Sequence, residues 1–118
     1  MPDIGASVGH SVTAGFPSVA TGLEQKDVIR HLFEAVESFN WLEKEDDLHL
    51  VTCLSGSGPA YYFAFCETMI AAAIKAGLND DLAKNLCVGT AVCSRKLLNA
   101  AADPRVLRQT VTSPNGTT

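Results

Sequence analysis

Two short segments of the 118-residue chain concentrate groups that do chemistry. The first is Ser55-Gly56-Ser57-Gly58-Pro59-Ala60-Tyr61, where hydroxyls and glycines directly precede an apolar run. Glycine permits close backbone approach, and a helix beginning at Pro59 leaves its first N–H groups without intrahelical partners. The segment reads either as a tight turn between helices or as an anion cradle. It is not a nucleotide-binding Gly-x-Gly-x-x-Gly, and no Walker Gly-Lys-Ser/Thr exists in the chain. The second segment is Val111-Thr112-Ser113-Pro114-Asn115-Gly116-Thr117-Thr118. Its hydroxyls and backbone amides suit a carboxylate, and its turn residues suit an ordinary polar loop.

The elements that must position these segments follow from periodicity. Val8 to Phe16 alternates, with Val8, Val12, Ala14 and Phe16 on one side and Gly9, Ser11, Thr13 and Gly15 on the other, which predicts a strand. Val28, Ile29, Leu32, Phe33 and Val36 share one face of a helix over Gln25 to Ser38. Phe39 to Glu43 reads as a short strand, and the acidic Glu43–Asp47 cluster as a solvated turn and the charged start of the next helix. From Asp47 the reading is helical almost throughout. A short helix to Leu54 is broken by Ser55–Pro59, and a longer one runs from Pro59 to Ala76 with Gly77 as its C-terminal stop. Asn79 or Asp80 caps a helix to Ala101, and Asp103-Pro104 opens another to Thr110. The Pro59–Ala76 helix carries Tyr61, Tyr62, Phe63, Phe65, Met69 and Ile74 on more than one face, with alanines filling the rest. A helix apolar all round must be buried all round. One domain of this length has few places to do so, which predicts a partner subunit. Glu67 interrupts this helix, either at a solvated edge or near a site mouth.

Composition sets outer limits. Apolar residues make up 47% and charged ones 19%, against the usual ~25% charged. Mean hydropathy is +0.13. Such a chain folds, and its excess apolar character again points to an interface. The net charge of −4 and the lack of a basic stripe exclude nucleic acid as the expected partner. The longest uncharged run, Leu50 to Cys66, contains Ser-Gly-Ser-Gly-Pro and predicts no membrane span. No basic, apolar leader opens the chain, so a cytoplasmic location is expected. The cysteines Cys53, Cys66, Cys87 and Cys93 form no Cys-x-x-Cys pair, and His10, His31 and His49 lie far from them in sequence. No metal site is expected. Buried thiols in a reducing compartment are.

Together, Ser55–Tyr61 and Ser113-Pro-x-Gly-x-Thr118 resemble the two most specific signatures of the pyrroline-5-carboxylate reductase family, in the same order and at a similar separation. Met1-Pro2 with Val8-Gly9 is similar to the segment leading out of that family's dinucleotide fold, and Trp41-Leu42-Glu43 and Val51-Thr52 also match. The resemblance spans the chain but only part of the family's length, which implies a piece of a longer protein. It implies a mainly α fold. Residues 1–46 would be the closing strand–helix–strand part of a Rossmann-type dinucleotide-binding domain, and 47–118 an all-helical dimerisation and substrate domain, incomplete at its C-terminus.

The implied activity is reduction of the cyclic imine 1-pyrroline-5-carboxylate to proline. NADPH or NADH would be held mainly by a domain outside this chain, and the enzyme would be a homodimer or higher homo-oligomer. Ser113, Gly116 and Thr117 would bind the substrate carboxylate. Thr118 would hydrogen-bond the ring nitrogen as the catalytic hydroxyl. Asp3 stands where the family has an Asn near the nicotinamide, so a donor is lost there. Further departures are Ile4-Gly5 for Thr-Pro, Gly89 for a frequent Gln, and Cys93-Ser94-Arg95 for Gly-Ala-Ala. The alternatives are a non-catalytic dimerisation module, a regulatory reductase-like paralogue, or a related hydroxyacid dehydrogenase, which the Ser-Pro-x-Gly-x-Thr loop disfavours.

Overall fold

A computed structural model describes residues 1–101 and 103–113. The element order is a 3-10 turn Ile4–Val8, β1 Ser11–Gly15, α1 Leu23–Glu34, β2 Glu37–Trp41, α2 Asp47–Val51, a π-helical turn Thr52–Gly56, α3 Gly58–Lys75, α4 Asp80–Ala101 and α5 Pro104–Val111. The fold is therefore mainly α, with a two-stranded sheet ahead of the helices. Two compact units divide at residue 64, one spanning Met1–Ala64 and the other Phe65–Thr118.

In the first unit β1 and β2 pair in parallel, with Ser11 opposite Glu37 and Gly15 opposite Trp41. Parallel neighbours need a crossover, and α1 supplies it. The helix starts at Gly22, whose N–H donates to Gln25 Oε1 at 2.9 Å. Phe33 stacks on Phe39 at 5.6 Å, and Phe39 meets Trp41 edge-on at 4.8 Å. These rings close over Gly15, where an added Cβ would lie 2.9 Å from Phe39 Cζ.

Three sequence expectations are corrected here. The strand begins at Ser11, because Ile4–Val8 coils into a 3-10 turn that Gly9 ends at φ 72°. On one side of β1 Ser11 and Thr13 are fully buried; on the other Ala14 is buried while Val12 stays 45% exposed. Hydroxyls are tolerated there because Ser11 Oγ lies 3.3 Å from Thr13 Oγ1 and accepts from the Asp3 N–H. Helix α1 stops at Glu34, four residues early, and the next strand starts at Glu37 instead of Phe39. Glu37 takes φ 122°, a conformation that favours glycine, to turn the chain from helix into strand.

The helix ends downstream follow local chemistry. Gly77 stops α3 at φ 105°. Asn79 Oδ1 accepts from Asp81 and Leu82 N–H at the start of α4. Asp103 Oδ1 accepts from Arg105 N–H at 2.8 Å, with Pro104 at the first position of α5.

Helix α3 leaves its aromatics open: Tyr61 is 61% exposed, Tyr62 70%, Phe63 63% and Phe65 64%. In the second unit the buried side chains among the described residues are Ala83 and Cys87. The expectation of buried thiols holds for Cys87 alone; Cys66 is half-buried, and Cys53 and Cys93 are exposed. No described helix is long and apolar enough to cross a membrane.

Candidate functional site

Asp3 caps the 3-10 turn. Its Oδ1 accepts from Gly5 N–H at 2.8 Å and its Oδ2 from Val12 N–H at 3.3 Å. The carboxylate thus ties the opening segment to β1, and both of its oxygens already hold a backbone donor. Gly5 is required in this clamp, since an added Cβ would lie 2.1 Å from the His10 carbonyl oxygen. Beside Asp3, Met1 exchanges backbone hydrogen bonds with Ala14: its amine donates to the Ala14 carbonyl, and Ala14 N–H donates back at 3.3 Å.

The same Met1 reaches the glycine-rich segment. Thr52 Oγ1 lies 3.2 Å from Met1 Sδ, and a Cβ on Gly56 would lie 3.3 Å from Met1 Cε. The Ser55–Pro59 break expected from sequence is instead one wide helical turn. Ser57 N–H reaches back five residues to the Thr52 carbonyl at 2.8 Å. Such turns recur at functional sites. Thr52 and Ser55 hydroxyls donate to Leu48 and Val51 carbonyls, at 2.7 and 3.1 Å, so neither projects as a free donor. Gly58 is buried at the head of α3.

The first unit therefore brings together the Met1–Asp3 segment and the glycine-rich segment, which sequence spacing kept apart. Met1, Ser11 and Thr52 are the members that sequence reasoning missed. Met1-Pro2 and Val51-Thr52 are separate points of resemblance, and nothing in the sequence joins them across 51 positions.

Ser113 sits in the second unit, two residues past α5, and is exposed. The helix ends as Thr112 N–H donates to the Gln109 carbonyl at 3.2 Å and Thr112 Oγ1 to the Arg108 carbonyl at 2.7 Å. Gly116, Thr117 and Thr118 lie outside the described residues. Glu67 is exposed on α3. Among the described residues, no three His, Cys, Asp or Glu come together as a metal site would need.

A dinucleotide would need a cradle for its pyrophosphate. The turn from β1 into α1, residues 16–22, carries one glycine, Gly22, and no Gly-x-Gly-x-x-Gly. The described residues do not form that cradle.

Comparison with known proteins bears on the whole chain. Over its full length it is 34% identical to the pyrroline-5-carboxylate reductase of Pseudomonas aeruginosa, spanning 44% of that protein. It is 40% identical to pyrroline-5-carboxylate reductase 2 of Bacillus subtilis, spanning 42%. The chain thus covers less than half the length of these curated relatives. Its fold superposes on a pyrroline-5-carboxylate reductase from Coxiella burnetii with a TM-score of 0.92 and 34% identity, over 99% of this chain and 44% of that one. The Plasmodium falciparum pyrroline carboxylate reductase, solved with NADP bound, gives a TM-score of 0.85 at 28% identity, over 98% of this chain and 48% of that one. The family model for pyrroline-5-carboxylate reductase dimerisation matches residues 45–118, from the acidic turn before α2 to the last threonine. Motif, helix order and match agree: the chain belongs to the pyrroline-5-carboxylate reductase dimerisation family.

Proposed function

We propose that this chain is part of an NAD(P)H-dependent pyrroline-5-carboxylate reductase, which reduces 1-pyrroline-5-carboxylate to proline in the cytoplasm. The observation that carries this reading is the family match over residues 45–118, which contain both signature segments. The NADP-bound relative supports a nicotinamide cofactor. Residues 1–46 are then the closing strand–helix–strand of a dinucleotide-binding domain, and 47–118 the helical dimerisation and substrate domain.

The open aromatics of α3 support a homodimer. Burying apolar surface yields about 25 cal/mol per Å², and obligate interfaces of this kind run to ~2,000 Å² or more. A second copy is the partner the family match favours.

In the reaction, Ser113 with the Gly116 and Thr117 amides holds the substrate carboxylate and fixes the ring. Thr118 donates a hydrogen bond at the ring nitrogen, where charge changes as the imine becomes an amine. An unperturbed hydroxyl is a weak acid, so Thr118 positions and relays rather than protonates outright. Asp3 borders the nicotinamide as an acceptor. When bound, the cofactor supplies the hydride that reduces the imine carbon. Its dinucleotide is held mainly by a part of the protein outside this chain. The chain's own contribution is orientation, which sets the acceptor carbon in line.

Assay of the purified chain and of the longer protein carrying it, with NADPH and 1-pyrroline-5-carboxylate, tests the reading. The longer protein should oxidise NADPH, and the chain alone should associate as dimers and leave NADPH untouched. Turnover by the chain alone, or a longer protein that dimerises but reduces no cyclic imine carboxylate, overturns it. The latter result favours a non-catalytic, regulatory paralogue.

A further inference from the structure

The Cys87 thiol meets the backbone of Cys66 across the α3–α4 hairpin, with the turn at Gly77 midway between them in sequence. Cys87 Sγ lies 3.7 Å from the Cys66 carbonyl oxygen. A thiol touching the backbone of the facing helix marks a point of close approach, permitted because the buried residues of α4 here are small, Ala83 and Cys87. Beside this contact lies a cavity of about 100 Å³, lined by Met69, Ala73, Leu86, Cys87 and Thr90 among others, which gives the Cys87 sulfur room to change rotamer. The two thiols also differ. Cys66 is half-buried and open to small solutes, and Cys87 is buried. Burial foremost, then the neighbouring Cys66 thiol, pushes Cys87 above the ordinary thiol pKa.

We propose that Cys66 and Cys87 are a peroxide-responsive thiol pair that staples α3 to α4. The half-exposed Cys66, as thiolate, attacks one oxygen of hydrogen peroxide. The O–O bond breaks, the departing hydroxide takes a proton to become water, and Cys66 is left as a sulfenic acid. The Cys87 sulfur then attacks the Cys66 sulfur. The S–O bond breaks, and the hydroxide leaves with the Cys87 proton as a second water. Two thiols and one peroxide give one disulfide and two waters: sulfur is oxidised by two electrons in all and peroxide is reduced by two. A dithiol reductant reverses the link. Cys53 and Cys93, both exposed, lie outside the pair. The inference is independent of the reductase reading, since it concerns only the helical hairpin.

The test uses the whole chain, reduced, exposed to hydrogen peroxide, blocked with N-ethylmaleimide and mapped by peptide mass, both as it stands and with Cys53→Ser and Cys93→Ser. The expected product is an internal link joining the Cys66 and Cys87 peptides, about 2 Da lighter than the reduced chain. Adding Cys87→Ser should leave the sulfenic acid on Cys66 unresolved, so that dimedone labels it strongly where the intact pair gives little label. Two alkylatable thiols at Cys66 and Cys87 after peroxide treatment would overturn the proposal. So would a Cys66 link between chains instead of within one.

Discussion

In residues 1–64 the two fully buried side chains are hydroxyls, Ser11 and Thr13, and each has a partner within the unit. In residues 65–118 the described buried side chains are Ala83 and Cys87, both small, while larger apolar residues such as Phe65 at 64% and Val88 at 62% face outward. Around β1 and β2 the chain closes on itself through polar contacts and an aromatic stack. The apolar helices are different: α3, which runs from one unit into the other, leaves Tyr62 and Phe65 open, and α1 does the same at Leu23 and Leu32. Polar satisfaction is local and geometric, so a short chain can complete it alone. Apolar burial scales with area, and a helix apolar on several faces needs further surface packed against it. Substitutions in the β1–β2 sheet should therefore show in folding, and those along the apolar helices in association.

The largest effect expected on this comparison is Ala64→Glu, at the middle of α3 where the two units divide. A carboxylate buried without a partner costs several kcal/mol, so the proposed homodimer should dissociate across the micromolar range. Sedimentation equilibrium reads this directly, and an unchanged dimer would remove α3 from the interface.

Next come the residues proposed to hold substrate, tested in the longer protein. Thr118→Ala should lower kcat/KM by about ten- to a hundredfold, or roughly 1–3 kcal/mol. The fold should stay intact, because the lost hydrogen bond strengthens only as charge develops. Ser113→Ala removes a contact present throughout, so KM should rise more than kcat falls. Steady-state kinetics on the two variants separate the roles, and equal splits for both would merge them.

Gly15→Ala probes the closed unit. The new methyl would meet Phe39 Cζ at 2.9 Å and Trp41 Cζ3 at 3.3 Å, against the stacked rings. Overpacking of this kind costs about 1–3 kcal/mol. Urea unfolding of the chain should show the loss with the dimer interface unchanged. A neutral result would mean that the stack slides freely.

Legibility in the sequence divides along the same line. Gly77, Asn79, Asp103 and Pro104 announced the helix ends because a cap is settled within four residues, and α3, α4 and α5 begin and end within a residue or so of expectation. The apolar excess of α3 foretold its unmet surface for a similar reason: it is a property of one segment. The start of β2 was illegible because Glu37 adopts φ 122° and Phe33 reaches Phe39, facts of the folded unit rather than of the local run. The buried face of β1 was misread because alternation favours Val12 over Ser11, and nothing in the pattern says that the Asp3 backbone will satisfy a hydroxyl. The wide turn at Thr52–Gly56 was hidden because glycine and serine read as a break whether the chain stops or only loosens. Of the candidate site, residue types were legible throughout. Contacts were not: the meeting of Met1 with Thr52 spans 51 positions.

Asp3 supplies the smallest and most discriminating test. Its carboxylate accepts from Gly5 N–H at 2.8 Å and from Val12 N–H at 3.3 Å, so Asp3→Ala removes both contacts and should cost about 1 kcal/mol, the usual value of a lost cap. Asp3→Asn keeps an oxygen for Gly5 but turns a donor toward Val12, which also donates, so part of the loss should remain. Chemical denaturation of the chain should therefore rank wild type above Asn and Asn above Ala. In the longer protein the order for cofactor KM should differ. On the proposed place of Asp3 at the nicotinamide, an amide offers the donor that the carboxylate lacks, so Asp3→Asn should lower the cofactor KM while slightly lowering stability. If stability and KM instead worsen together, Asp3 acts only as a clamp on the opening turn, and its place beside the cofactor is withdrawn.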